Sequence, residues 1–238
     1  MVIDRQKKLF INVFCNILIC FVIAMLALSA SSSVVAVVSN DYKPFYNGNS
    51  SDVSIMINVY WGTEYIKPIL DVLEKNNCKA TFFVGGTWAE KNMELLALIS
   101  EKGHEIGNHG YLHRDHKKLS VAENREEIII TSRLITNITG KNVDLFAPPS
   151  GSMGNNMTEV CKELNYKIIM WSKDTIDWRD KDANLVYIRA TKNIQGGDFI
   201  LMHPTAHTLE ALPRILQQYQ KIGIKSVTVS ENITATVF

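Results

Sequence analysis

The stretch Gly103-His104-Glu105-Ile106-Gly107-Asn108-His109-Gly110-Tyr111-Leu112-His113 joins a short apolar segment to a glycine-rich loop that carries two histidines. Residues 104–106 have the composition of a short buried strand, and the glycines around them indicate that a loop follows. His109 and His113 lie four residues apart, a spacing that lets two imidazole nitrogens reach one small cation. An isolated pair of this kind also arises by chance on a solvated surface, so the surrounding pattern decides between the two interpretations.

Apolar segments and helical segments alternate along the chain on both sides of this stretch. Strands are predicted at residues 54–60, 80–84, 104–106, around 145, 168–171, 199–202 and 226–229, and helices at 64–75, 87–102, 120–140, 153–164, 184–194 and 208–222. Strict alternation predicts a parallel sheet, either open or closed into a barrel. We favour the barrel, because about seven strand–helix units are hard to fit into an open sheet of this length.

Loops that follow parallel strands meet on one face of the fold, where ligand sites form. The chain places its polar and aromatic residues in these loops: Asn58 to Gly62 with Glu64, then His109 and His113, then Phe146 to Gly151, then Trp171 to Trp178, and finally Leu201 to Pro204. The sequence therefore predicts a single site at this rim.

Composition argues for one domain with no general affinity for nucleic acid. The chain has 238 residues, with 25 Lys and Arg against 24 Asp and Glu, for a net charge of +1. A balance of this kind creates no field that would attract a polyanion. We expect a monomer that binds no nucleic acid, with Cys78 and Cys161 as free buried thiols.

The N-terminus predicts attachment to a membrane. Arg5, Lys7 and Lys8 precede an apolar run over residues 9–30, which is long enough to cross a hydrocarbon core of about 30 Å. We predict a cytoplasmic basic segment at 1–8, a transmembrane anchor or signal sequence at 9–30, a linker at 31–52 and an exported domain at 53–238. An uncleaved anchor is favoured over a secreted product, because the run exceeds the usual core of a signal peptide.

Three stretches match a known family in order and spacing: Lys79 to Val84, Gly103 to His109 and Asp174 to Trp178. With Asn58 to Gly62, Phe146 to Gly151 and Leu201 to Pro204, they resemble the polysaccharide deacetylase family with the NodB-type domain, and within it the sporulation-associated, membrane-anchored members. The resemblance implies an incomplete (β/α)7-type barrel with mostly parallel strands. It also implies metal-dependent hydrolysis of the amide bond in N-acetylated sugars of cell-wall polysaccharide.

The resemblance assigns roles to four residues. His109 and His113 match the histidine ligands of a divalent metal, for which zinc is our expectation. His203 matches the catalytic acid, and Asp177 matches the carboxylate that helps to set the surroundings of that acid. Tyr60, Trp61, Pro149 and Trp178 are expected to contact the substrate, since aromatic faces suit sugar rings.

The chain departs from the family pattern at the first and third motifs. The first motif usually reads Thr-Phe-Asp-Asp-Gly and supplies a base and a third metal ligand, but here it is Asn58-Val59-Tyr60-Trp61-Gly62. The arginine that usually holds the base is Ala147. Tyr60 and Trp61 are either an apolar plug or a stacking platform. Glu64 is either a substitute ligand or base, or a carboxylate that favours the helix N-terminus.

Two functions remain open on these residues. The first is a metal-dependent carbohydrate deacetylase, although loss of a positioned base typically lowers the rate by about 10²- to 10⁴-fold. The second is a catalytically silent saccharide-binding or cell-envelope assembly protein on the same scaffold. Among the remaining histidines, we expect His104 to be a buried hydrogen-bonding residue, and His116 and His207 to be solvated or peripheral.

Overall fold

The computed structural model describes residues 42–235 continuously and, before them, only residues 7, 9–10, 13–14, 16–22 and 25. The chain divides into two units, residues 1–41 and residues 42–238. Among the described residues, no helix combines the length and the apolar character needed to span a bilayer. The predicted segment 1–8 and the linker residues 31–41 lie almost wholly outside the described residues, and the predicted anchor 9–30 lies partly outside them, so these stay predictions.

Seven parallel strands form one sheet in the order β5-β4-β3-β2-β1-β7-β6. The strands are β1 Ser54–Val59, β2 Thr81–Val84, β3 Glu105–Asn108, β4 Leu145–Phe146, β5 Lys167–Ile168, β6 Lys173–Asp174 and β7 Phe199–Met202. β5 and β6 are the two edges of this sheet and do not pair with each other, so the barrel is open there. The predicted parallel α/β fold with an incomplete barrel is confirmed.

Helices alternate with these strands. They are α1 Thr63–Lys75, α2 Gly86–Lys91, α3 Met93–Glu101, α4 Val121–Thr139, α5 Asn155–Glu163, α6 Ala183–Thr191, α7 Ala206–Lys221 and α8 Val229–Thr234. The single helix predicted over 87–102 is two helices, α2 and α3, because Asn92 leaves the helical conformation at φ −132°. The Asn92 side chain donates to the Trp88 carbonyl at 2.8 Å and so takes the place of a backbone donor.

Two of the strand predictions need correction. Residues 226–229 do not form a strand: Ser226 makes an isolated bridge with Val53, and a capping box between Thr228 and Glu231 starts α8 at Val229. Conversely, residues 173–174 were predicted as a loop but form β6, which pairs with β7. β6 is short and polar, so no apolar run indicated it.

The compact unit begins before the predicted boundary at Val53. Phe45 donates its backbone N–H to Ile168 at 2.9 Å and accepts one from Met170 at 2.8 Å, and Gly48 donates to Gly197 at 2.8 Å. The Ser-, Asn- and Gly-rich composition of residues 42–52 suggested a linker, but these residues are hydrogen-bonded to the barrel. The unit therefore starts at Tyr42.

Successive side chains of β1 point to opposite faces of the sheet and pack into two different apolar clusters. Ile55, Ile57 and Val59 pack outward against the helices, whereas Met56 points into the barrel, where Phe83 and Phe199 also lie. Asn58 follows Met56 two residues later and therefore continues the inward face toward the rim. Cys78 and Cys161 are free and buried, and burial raises the pKa of Cys161 to about 12.

His104 makes stability depend on pH. Its Nδ1 accepts the N–H of Ala80 at 3.2 Å, and burial lowers its pKa to about 4 from the ordinary value near 6.5. The unfolded chain therefore binds a proton more readily, so this stability is complete above pH 6.5 and is lost as the pH falls toward 4. Over that window we expect the free energy of unfolding to fall by on the order of 3 kcal/mol through this residue.

The measurement is urea unfolding of the native chain and of His104→Gln between pH 7 and pH 4. Glutamine keeps an acceptor but does not titrate, so the variant should lose less stability on acidification. The other buried histidines are present in both proteins and cancel in the difference. Parallel pH profiles for the two proteins would contradict this account.

Candidate active site

His109 and His113 come together at the end of β3. His109 is buried, and its Nδ1 donates to the Ala147 carbonyl at 2.7 Å, which leaves Nε2 with a free lone pair. The ring centroids of the two histidines are 5.0 Å apart. Burial lowers the pKa of His109 to about 3, with a smaller contribution from His113, and burial also lowers the pKa of His113. Both imidazoles are therefore neutral at pH 7 and act as acceptors or ligands.

His203 and Asp177 form a hydrogen-bonded pair across the rim from these histidines. The His203 Nδ1 donates to the Asp177 carboxylate at 2.8 Å, and the His203 backbone N–H donates to its second oxygen at 2.6 Å. Thr208 donates its hydroxyl to the same carboxylate. Asp177 is fully enclosed, so the imidazole has a fixed orientation, and its Nε2 remains available for proton exchange with a ligand.

The two aromatic residues of the first motif each contact a histidine. Tyr60 lies 4.8 Å from His113 between ring centroids, and Trp61 stacks on His203 at 5.7 Å with planes 9° apart. Gly85 makes room for the Tyr60 ring, since a Cβ there would come within 2.5 Å of it. Trp61 remains 43% exposed. Tyr60 therefore fills volume beside the histidines, while Trp61 also presents a surface to solvent.

These groups line one cavity of about 510 Å³. Its lining consists of Asn58, Tyr60, Trp61, His109, His113, Ser150, Trp171, Asp174, Trp178, Leu201 and His203. The buried members, Asn58, His109 and Leu201, form the floor. Trp61 and the 53% exposed Trp178 stand at the mouth. The cavity thus joins imidazoles at depth with indole faces at its entrance, an arrangement that suits a sugar ring.

Three predicted site residues, Asp177, Pro149 and Glu64, lie outside this lining. Asp177 takes part in the site through its hydrogen bond to His203. Pro149 is buried in a short 3-10 turn, Pro149–Gly151, next to Ser150, which lines the cavity in its place. Glu64 stands in the first turn of α1 and lines a neighbouring cavity of about 440 Å³. The structure therefore does not bring Glu64 together with His109 and His113.

The donor set only partly suits a divalent metal. Two neutral imidazoles with free nitrogens suit zinc, but a catalytic zinc is usually held by three protein ligands. Across residues 42–235 and the described positions before them, no three His, Cys, Asp or Glu side chains are grouped closely enough to hold a metal ion. These residues fit a weak two-histidine site and do not complete a three-ligand catalytic site.

Three histidines lie outside the cavity lining: His104, His116 and His207. His116 was expected to be solvated or peripheral, but it is fully buried in the loop after β3. Its Nδ1 donates to the Asn124 side chain at 2.7 Å, so one polar atom of the ring is satisfied inside the protein. His207 is half-buried and lines the neighbouring cavity with Glu64. His104 is buried and accepts a backbone hydrogen bond, as expected.

Sequence reasoning missed several contributors to the site. Asn58, Asp174 and Leu201 were placed in rim segments without a role, yet each lines the cavity. The Ala147 carbonyl orients His109, and Thr208 orients Asp177. A backbone carbonyl leaves no signal in the side-chain pattern. Thr208 could have been found from its position in the first turn of a helix directly after the last motif.

Comparison with known proteins agrees with the fold and with the family that the sequence resembles. The family model described as polysaccharide deacetylase matches residues 46–169. The chain is 38% identical to the uncharacterized protein YlxY of Bacillus subtilis, over 82% of this chain and 61% of that protein. It is 33% identical to a peptidoglycan-N-acetylglucosamine deacetylase of Bacillus cereus, over 76% of this chain and 68% of that enzyme.

A solved structure is similar throughout the barrel. BA3943 of Bacillus anthracis, described as a CE4 family pseudoenzyme, is 37% identical with a TM-score of 0.78, over 80% of this chain and 69% of that chain. A BA3943 mutant described as having restored enzymatic activity matches with the same TM-score of 0.78. The matching family model and the shared identity together show that the chain belongs to the polysaccharide deacetylase family.

Proposed function

We propose that this chain takes an N-acetylated glycan of the peptidoglycan type into the cavity at its rim and is a slow, metal-dependent deacetylase of that glycan. The observation that carries the proposal is the convergence of the His109–His113 pair, the His203–Asp177 pair and three tryptophans on one cavity. The peptidoglycan deacetylases among its relatives support this class of substrate.

Each group in the cavity has a chemical task under this proposal. The indole faces of Trp61 and Trp178 hold the sugar ring, and His203 exchanges a proton with the leaving nitrogen while Asp177 keeps its ring in place. His109 and His113 would hold a divalent metal, with zinc as the first candidate. When bound, that ion would supply Lewis-acid polarisation of the acyl oxygen.

The altered first motif sets the expected rate. Tyr60 and Trp61 stand where the family pattern has the base and the third ligand, and neither aromatic ring can replace a carboxylate. The loss of a positioned base alone lowers the rate by about 10²- to 10⁴-fold. We therefore expect turnover well below that of a family member with both aspartates.

A second candidate is a catalytically silent saccharide-binding or cell-envelope assembly protein. Two observations favour it: Tyr60 packs against His113 and Trp61 against His203, and BA3943, which is similar over most of this chain, is described as a pseudoenzyme. The two candidates share the glycan and the cavity and differ only in acetate release.

The N-terminal sequence supports a proposal for the location of the chain. We propose that the apolar run over residues 9–30 anchors the chain in a membrane, with the deacetylase-like unit on the exported side. Peptidoglycan lies on that side. The motifs that resemble the polysaccharide deacetylase family, together with this apolar run, support our proposal that the chain belongs to its sporulation-associated, membrane-anchored subgroup.

Metal binding tests the histidine pair. The His109→Ala, His113→Ala double variant should lose weak Zn²⁺ binding, with affinity falling at least about tenfold, because it removes both free imidazole nitrogens. His207→Ala, which alters a histidine outside the cavity lining, is the matched control and should bind as the native chain does. Equilibrium dialysis measures both, and unchanged Zn²⁺ binding in the double variant would refute the site.

Restoration of the first motif tests the proposed reaction. The Tyr60→Asp, Trp61→Asp, Ala147→Arg variant should release acetate from N-acetylglucosamine oligomers about 10²- to 10⁴-fold faster than the native chain, since it regains a base and a ligand. The arginine is needed because two adjacent carboxylates raise one another's pKa. Acetate release is followed by an enzyme-coupled assay.

The matched control carries Tyr60→Asn, Trp61→Asn and Ala147→Arg, which keeps the shape but not the charge. It should stay at the native rate and be less stable, because Ala147 is fully buried and an arginine there lacks its carboxylate partner. Equal rates in the two triple variants would contradict the assigned roles. Glycan binding without acetate release from either the native chain or the aspartate variant would establish the silent candidate.

Topology is tested on intact cells. Protease added to wall-stripped cells should digest the unit that begins at Tyr42, and only a short N-terminal fragment should remain with the membrane. Complete protection of that unit until the membrane is permeabilised would reverse the proposed orientation.

A further inference from the structure

The cavity is lined by one carboxylate that the proposed reaction does not use. Asp174 of β6 lies beside Leu201 of β7, which precedes His203 by two residues, and it is the only Asp or Glu of the described residues in the lining. Its Oδ1 accepts the N–H of Ile176 at 2.8 Å, which fixes the orientation of the carboxylate. Its Oδ2 has no hydrogen-bond or ion-pair partner among the described residues. Asp174 is half-buried and Oδ2 is not enclosed, so this oxygen is accessible to a ligand.

The cavity has no positive side chain to balance this charge. Among the described residues, no lysine or arginine belongs to its lining, and the two imidazoles at depth, His109 and His113, are neutral at pH 7. His203 is paired with the Asp177 carboxylate, which offsets any proton that the imidazole carries. The cavity as a whole therefore favours a cationic ligand over an anionic one.

The basic residues of the adjoining loop are engaged elsewhere. Arg179 donates from Nε and Nη2 to the two carboxylate oxygens of Asp180 at 2.7 and 3.0 Å and is not part of the lining. Lys181 lines the neighbouring cavity of about 440 Å³. Neither residue forms an ion pair with Asp174 in the structure.

Aromatic rings form much of the remaining wall. Tyr60, Trp61, Trp171 and Trp178 all line the cavity. The face of an aromatic ring is electron-rich and attracts cations, and cages of such rings recognise organic ammonium ions. Trp178 already has a cation near its ring, because the Arg179 guanidinium carbon lies 6.0 Å from the ring centroid. Rings, an accessible carboxylate and uncharged imidazoles together suit a sugar that carries an ammonium group.

We propose that the cavity also binds the de-N-acetylated form of the glycan: the Asp174 carboxylate accepts the ammonium group of a glucosamine residue, and the indole faces hold its ring. The ammonium group supplies a positive charge and several N–H donors, whereas the amide of N-acetylglucosamine supplies one N–H and no charge. Hydrogen bonds between ionised groups are roughly twice as strong as those between neutral groups. The inference rests on the proposed glycan site, and it makes the product of the proposed reaction a ligand that the chain retains.

The experiment compares three glycans that differ in the group at carbon 2 of each sugar. The full chain is titrated calorimetrically in metal-free buffer at about pH 6, where amino groups are protonated. The ligands are the tetramers of glucosamine and N-acetylglucosamine, and cellotetraose, which has a hydroxyl group at that carbon. We expect the native chain to bind the glucosamine tetramer at least about tenfold more tightly than cellotetraose. The N-acetylglucosamine tetramer should compete with the glucosamine tetramer for the cavity.

Two variants locate the charge that is responsible. Asp174→Asn removes the charge but keeps an oxygen that accepts the Ile176 N–H, so the loop is preserved. It should bring the affinities for the glucosamine tetramer and cellotetraose close together, while continued binding of the N-acetylglucosamine tetramer shows that the cavity is intact. Glu64→Gln is the matched control, because it removes a carboxylate from the neighbouring cavity, which shares Trp61 and Trp178. It should retain the native preference.

The outcomes separate this inference from the proposed function. Equal affinity of the native chain for the glucosamine tetramer and cellotetraose would overturn the inference alone, and that comparison does not depend on the folding of a variant. A preference that persists in Asp174→Asn, or disappears in Glu64→Gln, would assign the ammonium group to another carboxylate and would also overturn it. Failure of all three tetramers to bind would overturn the proposed function with it.

Discussion

The parallel register of β7, β1, β2 and β3 is the constraint on which the site depends. Ile57 lies beside Met202, and Val59 beside Val84, which in turn lies beside Asn108. These pairings end the central strands at one level. The residues that follow, among them Tyr60, His109 and His203, must therefore emerge at the same rim. A shift in this register would separate the histidines regardless of their chemistry.

The departures from the family pattern form one consistent set at this rim. Where two carboxylates are expected, Tyr60 and Trp61 lie against His113 and His203, and Gly85 leaves space for the phenol ring. Ala147 stands where the partner arginine is expected and is enclosed by apolar neighbours. A lone arginine there would be a buried, uncompensated charge. The absence of all three charges together is therefore physically coherent.

Sequence patterns predicted the parts of the structure that depend on strand ends. His109, His113 and His203 follow apolar segments, so alternation alone places them at one rim. Asp177 follows β6, whose pairing with β7 no apolar run indicated. The positions of side chains that depend on tertiary contacts could not be predicted. Glu64 lines a neighbouring cavity, and His116 is buried and hydrogen-bonded to Asn124. β6 was too short and polar to give a period, and Thr228 capped a helix where a strand was expected.

The most direct test of the central claim is a crystal structure of the chain with a tetramer of N-acetylglucosamine at saturating concentration. The account predicts one sugar ring against Trp61 and Trp178, with its acylamino group directed into the cavity toward His203. Density for the glycan at another surface, with this cavity filled by water alone, would contradict it.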